Sequence, residues 1–169
     1  MSEPYHKIGR KHPGIRLHDI IELPQVVGRR VDKPFEFIDH TADIGIIAYG
    51  ADFRQAFANA AAGLFSLITE LDDVNEGEQR TIELSAENEE ILLVEWLNEL
   101  IYIFDVEQLV FKRFEVDELA GNRLKARCFG EKIEPERHKL KMGVKAATYH
   151  MLKMSKDDEG YSVQVILDV

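Results

Sequence analysis

The sequence predicts an α+β fold, two helices packed on mixed or antiparallel β-sheets. Two stretches carry apolar residues at helical spacing, around residues 52–70 and 88–105. Short segments with the two-residue alternation of half-buried strands surround them. The strand segments dominate after the second helix, a distribution typical of helices laid against sheets rather than alternating with parallel strands.

In chain order, "FEFID" (35–39) alternates apolar and polar, and "IGIIAYG" (44–50) follows as a second strand that ends at Gly50. The helix over 52–70 places Phe53, Ala56, Phe57, Ala60, Ala61, Leu64, Phe65 and Ile68 on a common side. Asp52 is its natural N-cap, since the carboxylate can accept a backbone N–H from the first turn. An acidic loop (71–79) leads to "RTIEL" (80–84). The second helix starts near Asn88 and has Glu89 and Glu90 in its first turn, where negative charge suits the helix dipole. Its apolar residues, Trp96 among them, occupy more than one face, which predicts a central helix covered on several sides. Strands follow at 109–116, 123–130, 143–151 and 161–169, with turns at 120–122 and 156–160. Residues 133–142 read as a longer connection that includes one short helical turn. The predicted order is β-β-α-β-α-β-β-β-β.

Residues 1–33 read as a separate N-terminal extension, flexible or lying on the body, and residues 34–169 as the folded domain. Proline at 34 marks the boundary, because the residue before a proline is biased away from helix. The extension has seven Lys or Arg against four acids, so a net charge of −10 for the 169-residue chain leaves the domain near −13. A body this acidic repels a phosphate backbone and suits a basic protein partner. The single cysteine, Cys128, permits no internal disulfide and reads as a buried, inert thiol. The N-terminus lacks the pattern of a signal peptide and no apolar run approaches membrane-spanning length, so the expectation is a soluble cytoplasmic protein without membrane contact.

"FIDHTADIGI" (37–46) carries the most chemistry. Asp39 and Asp43 bracket His40 and Thr41 at the mouth of a strand. A turn that caps itself through a carboxylate explains such residues, and so does a site for a hard cation, which prefers oxygen ligands and more than one carboxylate. The C-terminal "VILDV" offers further oxygens, from Asp168 and from the free carboxylate of Val169. Lys145, in "GVKAATYH" (143–150), reads either as an exposed edge-strand lysine or as an ammonium beside those carboxylates. His40, His138 and His150 lack zinc spacing, and no phosphate-cradling or nucleophile-elbow motif is present.

"DHTADIGI", "FRQAFANAAAGLFSLI", "LVEWLNELIYIFDVEQLVF", "VKAATYH" and the closing "LDV" resemble the archease family, over about Phe35 to Val169. The resemblance implies a small α+β accessory factor, not itself an enzyme, that activates an RtcB-type RNA ligase in tRNA splicing. Such a factor promotes guanylylation of the ligase and its multiple turnover, and meets tRNA only indirectly, through the ligase. It further implies a site for Ca²⁺, or Mg²⁺ or Mn²⁺, built from Asp43, Asp168 and Val169, with Lys145 as a functional residue. Asp39 and His40 are left open. The alternatives are a chaperone or modulator of RNA-modifying enzymes and a metal-dependent hydrolase.

Overall fold

The structure, a computed structural model, describes residues 33–169. The expected extension over 1–33 falls, but for its last residue, outside the described residues. Seven strands and two α-helices follow in the predicted order. They are β1 (Phe35–His40), β2 (Asp43–Gly50), α1 (Phe53–Ile68), β3 (Glu78–Ser85), α2 (Glu89–Tyr102), β4 (Leu109–Ala120), β5 (Arg123–Lys132), β6 (Ala146–Asp157) and β7 (Gly160–Asp168). The sheets are a four-stranded one in the order β1-β2-β7-β6 and a three-stranded one in the order β3-β5-β4. All the strand pairs are antiparallel, so the mixed alternative falls away.

α1 starts where its cap dictates. Asp52 accepts from the Gln55 N–H at 2.8 Å, and the Gln55 side chain accepts in return from the Ala51 N–H at 2.6 Å. The helix packs its apolar side on β2 and β4, so it lies between the two sheets. Asn88 caps α2 by accepting from the Ile91 N–H at 2.9 Å. Trp96 is fully buried and donates to the Phe57 carbonyl at 3.1 Å, pinning the two helices together. α2 is shorter than its apolar pattern suggests. It ends at Tyr102, and a π-helical turn (Ile103–Glu107) completes it. That wider turn keeps Ile103 buried while Glu107 reaches Arg80.

β6 is an edge strand, and α2 closes its edge. The Asn98 side chain donates to the Ala147 carbonyl at 3.2 Å and accepts from the Ala147 N–H at 2.8 Å, as a neighbouring strand would. This masks groups that could otherwise pair with another chain. β6 also starts at residue 146 rather than 143 and carries a wide bulge. Thr148 pairs with Ile166, but the next pair is Lys153 with Gln164. The alternation expected through 151 therefore stops at Thr148. Cys128 is fully buried, and burial pushes its thiol up to about 12, as an inert cysteine requires.

The 133–145 connection contains a single hydrogen-bonded turn at Glu134–His138 in place of a helical element. A buried network fixes it. The Glu134 N–H donates to His138 Nδ1 at 2.8 Å, so Nε2 carries the proton that faces Glu131 at 2.9 Å. Glu131 also accepts from Arg137 at 2.5 Å and from the Asn75 N–H at 2.8 Å. The Arg137 hydrogen bond, with those of Asn75 and His138, overcomes the desolvation of the Glu131 carboxyl and holds it down at about 2.

Glu131 lies below its usual value of 4.5 in the folded state. Its contribution to stability is therefore complete above pH ~4.5 and fades as pH falls toward 2. Chemical denaturation between pH 6 and 3 should show a shallower acid loss for Glu131→Gln than for the wild type. Equal slopes would remove Glu131 as the cause.

Gly45 gives a second prediction. A Cβ there would lie 2.1 Å from Ile38 Cγ1 and 2.9 Å from Ile166 Cδ1. Gly45→Ala should cost about 1–3 kcal/mol by overpacking, lowering Tm by several degrees in a thermal melt. Adding Ile38→Ala should recover part of that loss, and strictly additive losses would refute the clash.

Candidate functional site

Register builds the site. In β1–β2, His40 pairs with Asp43, and in β6–β7, Ala146 pairs with Asp168. In β2–β7, Ile44 pairs with Leu167, so the next position along sets Asp43 opposite Asp168. Directly opposed residues of antiparallel strands share a face, with Cα atoms about 5 Å apart. One row therefore crosses the whole sheet as His40, Asp43, Asp168 and Ala146. Just outside β6, the Lys145 N–H donates to the Asp168 carbonyl at 2.8 Å, next to Val169. Asp43, more than a hundred positions from the others in sequence, thus meets Lys145, Asp168 and Val169 at one end of one sheet.

Asp43 and Asp168 occupy the face away from α1, whereas the Val169 side chain packs against the core on the other side. Ile44, Ile46, Val165, Leu167 and Ala147 point into the core on the other side. On the outer face, the row next inward is Ile38, Gly45, Ile166 and Thr148, where Ile38 and Ile166 are buried over Gly45. The glycine of "ADIG" is thus a packing requirement beneath the site.

The β1–β2 loop is two residues long, Thr41 and Ala42, with Thr41 at φ 27°. A β-branched residue in that region is strained. The turn is closed by the Asp43 N–H donating to the Thr41 carbonyl. The capping alternative for the aspartates is not realised: among the described residues, neither the Asp39 nor the Asp43 carboxylate accepts a backbone N–H. Asp39 sits in the neighbouring row, opposite Ile44, at the exposed edge of β1. It and Asp43 are therefore on opposite faces. His40 packs edge-to-face on His150 with ring centroids 5.2 Å apart, and its Nδ1 is buried without a hydrogen-bond partner among the described residues. The His40–His150 contact was not legible in the sequence, because it exists only through the β6 bulge. His138 belongs to the Glu131 network and lies outside this site.

The donors facing outward are hard oxygens. Asp43 and Asp168 make no ion pair among the described residues, and neither does Lys145. Among those residues, His, Cys, Asp and Glu side chains alone form no group of three able to hold an ion. A cation here would need oxygens beyond the two aspartates, and the main-chain oxygens of Val169 lie one residue past Asp168. Two opposed carboxylates and a chain terminus suit Ca²⁺, Mg²⁺ or Mn²⁺ rather than a soft metal.

Among the described residues, no helix is long and apolar enough to cross a membrane. The profile of the Archease protein family (MTH1598/TM1083) matches residues 35–169. Protein archease of Pyrococcus abyssi is 42% identical over 141 residues, covering 81% of this chain and 99% of that one. Its Methanosarcina mazei counterpart is 38% identical over 141 residues, covering 81% and 97%. The solution structure of Methanobacterium thermoautotrophicum protein 1598 superposes with a TM-score of 0.71 at 38% identity, over 80% of this chain and 99% of that one. The crystal structure of a Thermotoga maritima archease, described as a possible chaperone, shares the fold at a TM-score of 0.54 and 22% identity, over 78% and 94% of the chains. Matched over residues 35–169 and by relatives of this identity, this chain belongs to the archease family.

Proposed function

We propose that the protein is a non-catalytic activator of an RtcB-type RNA ligase in tRNA splicing, acting in the cytoplasm on the ligase rather than on tRNA. The supporting observation is the row that sets Asp43 opposite Asp168, with the Lys145 N–H bound to the Asp168 carbonyl and no ion pair to either aspartate among the described residues. In this reading Asp43, Asp168 and the Val169 carboxylate hold a divalent ion, Ca²⁺, Mg²⁺ or Mn²⁺. Bound there, the ion supplies positive charge that offsets phosphate oxygens. The protein's own part is to keep the carboxylates at one sheet end, with Lys145 at the neighbouring position. Positive charge gathered there would meet a triphosphate in the ligase cleft and would favour transfer of GMP to the ligase. The Thermotoga maritima relative's description as a possible chaperone supports a coarser alternative, in which the protein stabilises an RNA-processing enzyme. A hydrolase reading has less support, since no nucleophile constellation accompanies the carboxylates.

The test is GMP incorporation into the purified ligase, together with calorimetry of Ca²⁺, Mg²⁺ and Mn²⁺ binding by the isolated protein. Asp43→Ala and Asp168→Ala should each weaken ion binding and cut stimulation at least about tenfold, as expected on removing one ligand of a charge cluster. A one-glycine C-terminal extension moves the carboxylate about 3.4 Å and should act in the same direction. Full stimulation by Asp43→Ala would overturn the proposal. Phosphoester turnover by the protein alone would favour the hydrolase.

A further inference from the structure

Five large apolar side chains stand exposed among the described residues, and three of them lie on α2 and β6, which pack on each other along one seam. They are Tyr102 (56% exposed), Tyr149 (56%) and Met151 (50%). On α2, Glu95, Asn98 and Tyr102 are spaced as one helical stripe. That stripe faces β6, because Tyr149 donates to Glu95 at 3.1 Å and Asn98 holds both backbone groups of Ala147. The two elements run antiparallel. From the Asn98–Ala147 contact, four helical residues advance about 6 Å and two strand residues about 7 Å. Tyr102 is therefore level with Lys145, and the seam runs into the carboxylate row.

The β6 bulge holds this surface in shape. Four residues, Tyr149 to Leu152, oppose a single residue of β7. Met151 has φ 53°, which strains a non-glycine residue. Three contacts hold it there: Gln164 donates to the Met151 carbonyl at 2.9 Å, the His150 N–H meets the Thr148 hydroxyl at 3.4 Å, and the His150 ring rests on His40. The fold thus spends strain to lift a tyrosine and a methionine into solvent. Rigid aromatic and methionine anchors are what protein interfaces use as hot spots, and a fixed anchor binds with less ordering cost. Glu95, Glu99 and Asp105 flank the seam, and the carboxylate row closes its end, on a body near −13. That charge repels an RNA backbone and an anionic membrane and fits a basic protein surface.

We propose that the α2–β6 seam, anchored by Tyr102, Tyr149 and Met151, docks a protein partner whose apolar pocket is rimmed by lysine and arginine. Docking there presents the carboxylate row to the partner's phosphate-binding cleft. This rests on the ligase-activator reading, and it names the surface through which that activation works.

The test uses the full chain and the purified ligase, with affinity and GMP incorporation measured in the same titration. Tyr102→Ser, Tyr149→Ser and Met151→Asn (asparagine tolerates the positive φ) should each raise Kd about tenfold or more. Raising the protein concentration should recover the lost stimulation. Leu140→Ser, an exposed apolar site off the seam, should leave Kd unchanged. Asp43→Ala should bind normally and fail to stimulate. If the wild type stimulates the ligase and the seam variants bind as it does, the docking surface is wrong and the activator reading stands. If the wild type neither binds nor stimulates the ligase, both fall. Self-association that only the seam variants abolish, with ligase affinity untouched, would assign the seam to a second copy and overturn the proposal. A cross-linker at Tyr149 that captures residues 1–32, again with ligase affinity untouched, would overturn it in favour of that segment.

Discussion

The register of β7 between β2 and β6 is the constraint on which the site depends. β7 is the last strand and a central one, with hydrogen-bonded neighbours on both sides. A chain terminus usually frays. Here the final residues are held by pairing with β2 on one side and β6 on the other, and Val163, Val165 and Leu167 are buried beneath them. A one-residue slip in either pairing would turn Val163, Val165 and Leu167 out of the core. The core therefore enforces the register, and the register sets Asp43 opposite Asp168. Chemistry at the sheet end is inherited from packing in its middle.

Two features secure the neighbours of that strand. On the β2 side, Gly45 lets Ile38 and Ile166 meet across the outer face, which locks the β1–β2 hairpin one row from the aspartates. On the β6 side, the residues leading to Lys145 are anchored by the Glu131–Arg137–His138 network and by the Lys141 N–H donating to the Ile68 carbonyl at 2.8 Å. The lysine arrives from a loop, yet its backbone position is as well determined as that of the strand residues it faces.

Element order was legible because the periodicities are strong and the caps, Asp52 and Asn88, carry unambiguous chemistry. Legible too was the burial of Cys128 in its alternating strand. Three things were not. The sequence does not say that α2 ends in a π turn, since Ile103 and Phe104 continue the helical apolar pattern; the Arg80–Glu107 pair and the buried Ile103 decide it. The β6 bulge is hidden because "TYHMLKM" alternates well enough to read as regular strand. The convergence of Asp43 with Asp168 depends on which strands pair, and pairing across more than a hundred residues leaves no local signal. Residue types alone left the capping turn and the cation site both open. The structure places Asp39 and Asp43 on opposite faces, and among the described residues neither carboxylate accepts a backbone N–H.

The same edge strand solves two opposed problems. An uncovered edge invites pairing with other chains, and α2 prevents this by turning Asn98 into a surrogate strand at Ala147. From Tyr149 to Leu152 the bulge interrupts regular pairing, which resumes at Lys153, and a bulge at an edge disrupts the ladder that an incoming strand would need. The segment freed in this way can expose apolar side chains without exposing a ladder of backbone donors and acceptors. Side-chain recognition is then favoured over strand addition. A partner that binds here must match the spacing of Tyr149 and Met151, not merely offer an edge of its own. Specificity and resistance to aggregation thus have one structural origin, a few extra residues in β6, placed where they also bring His150 onto His40 beside the carboxylates.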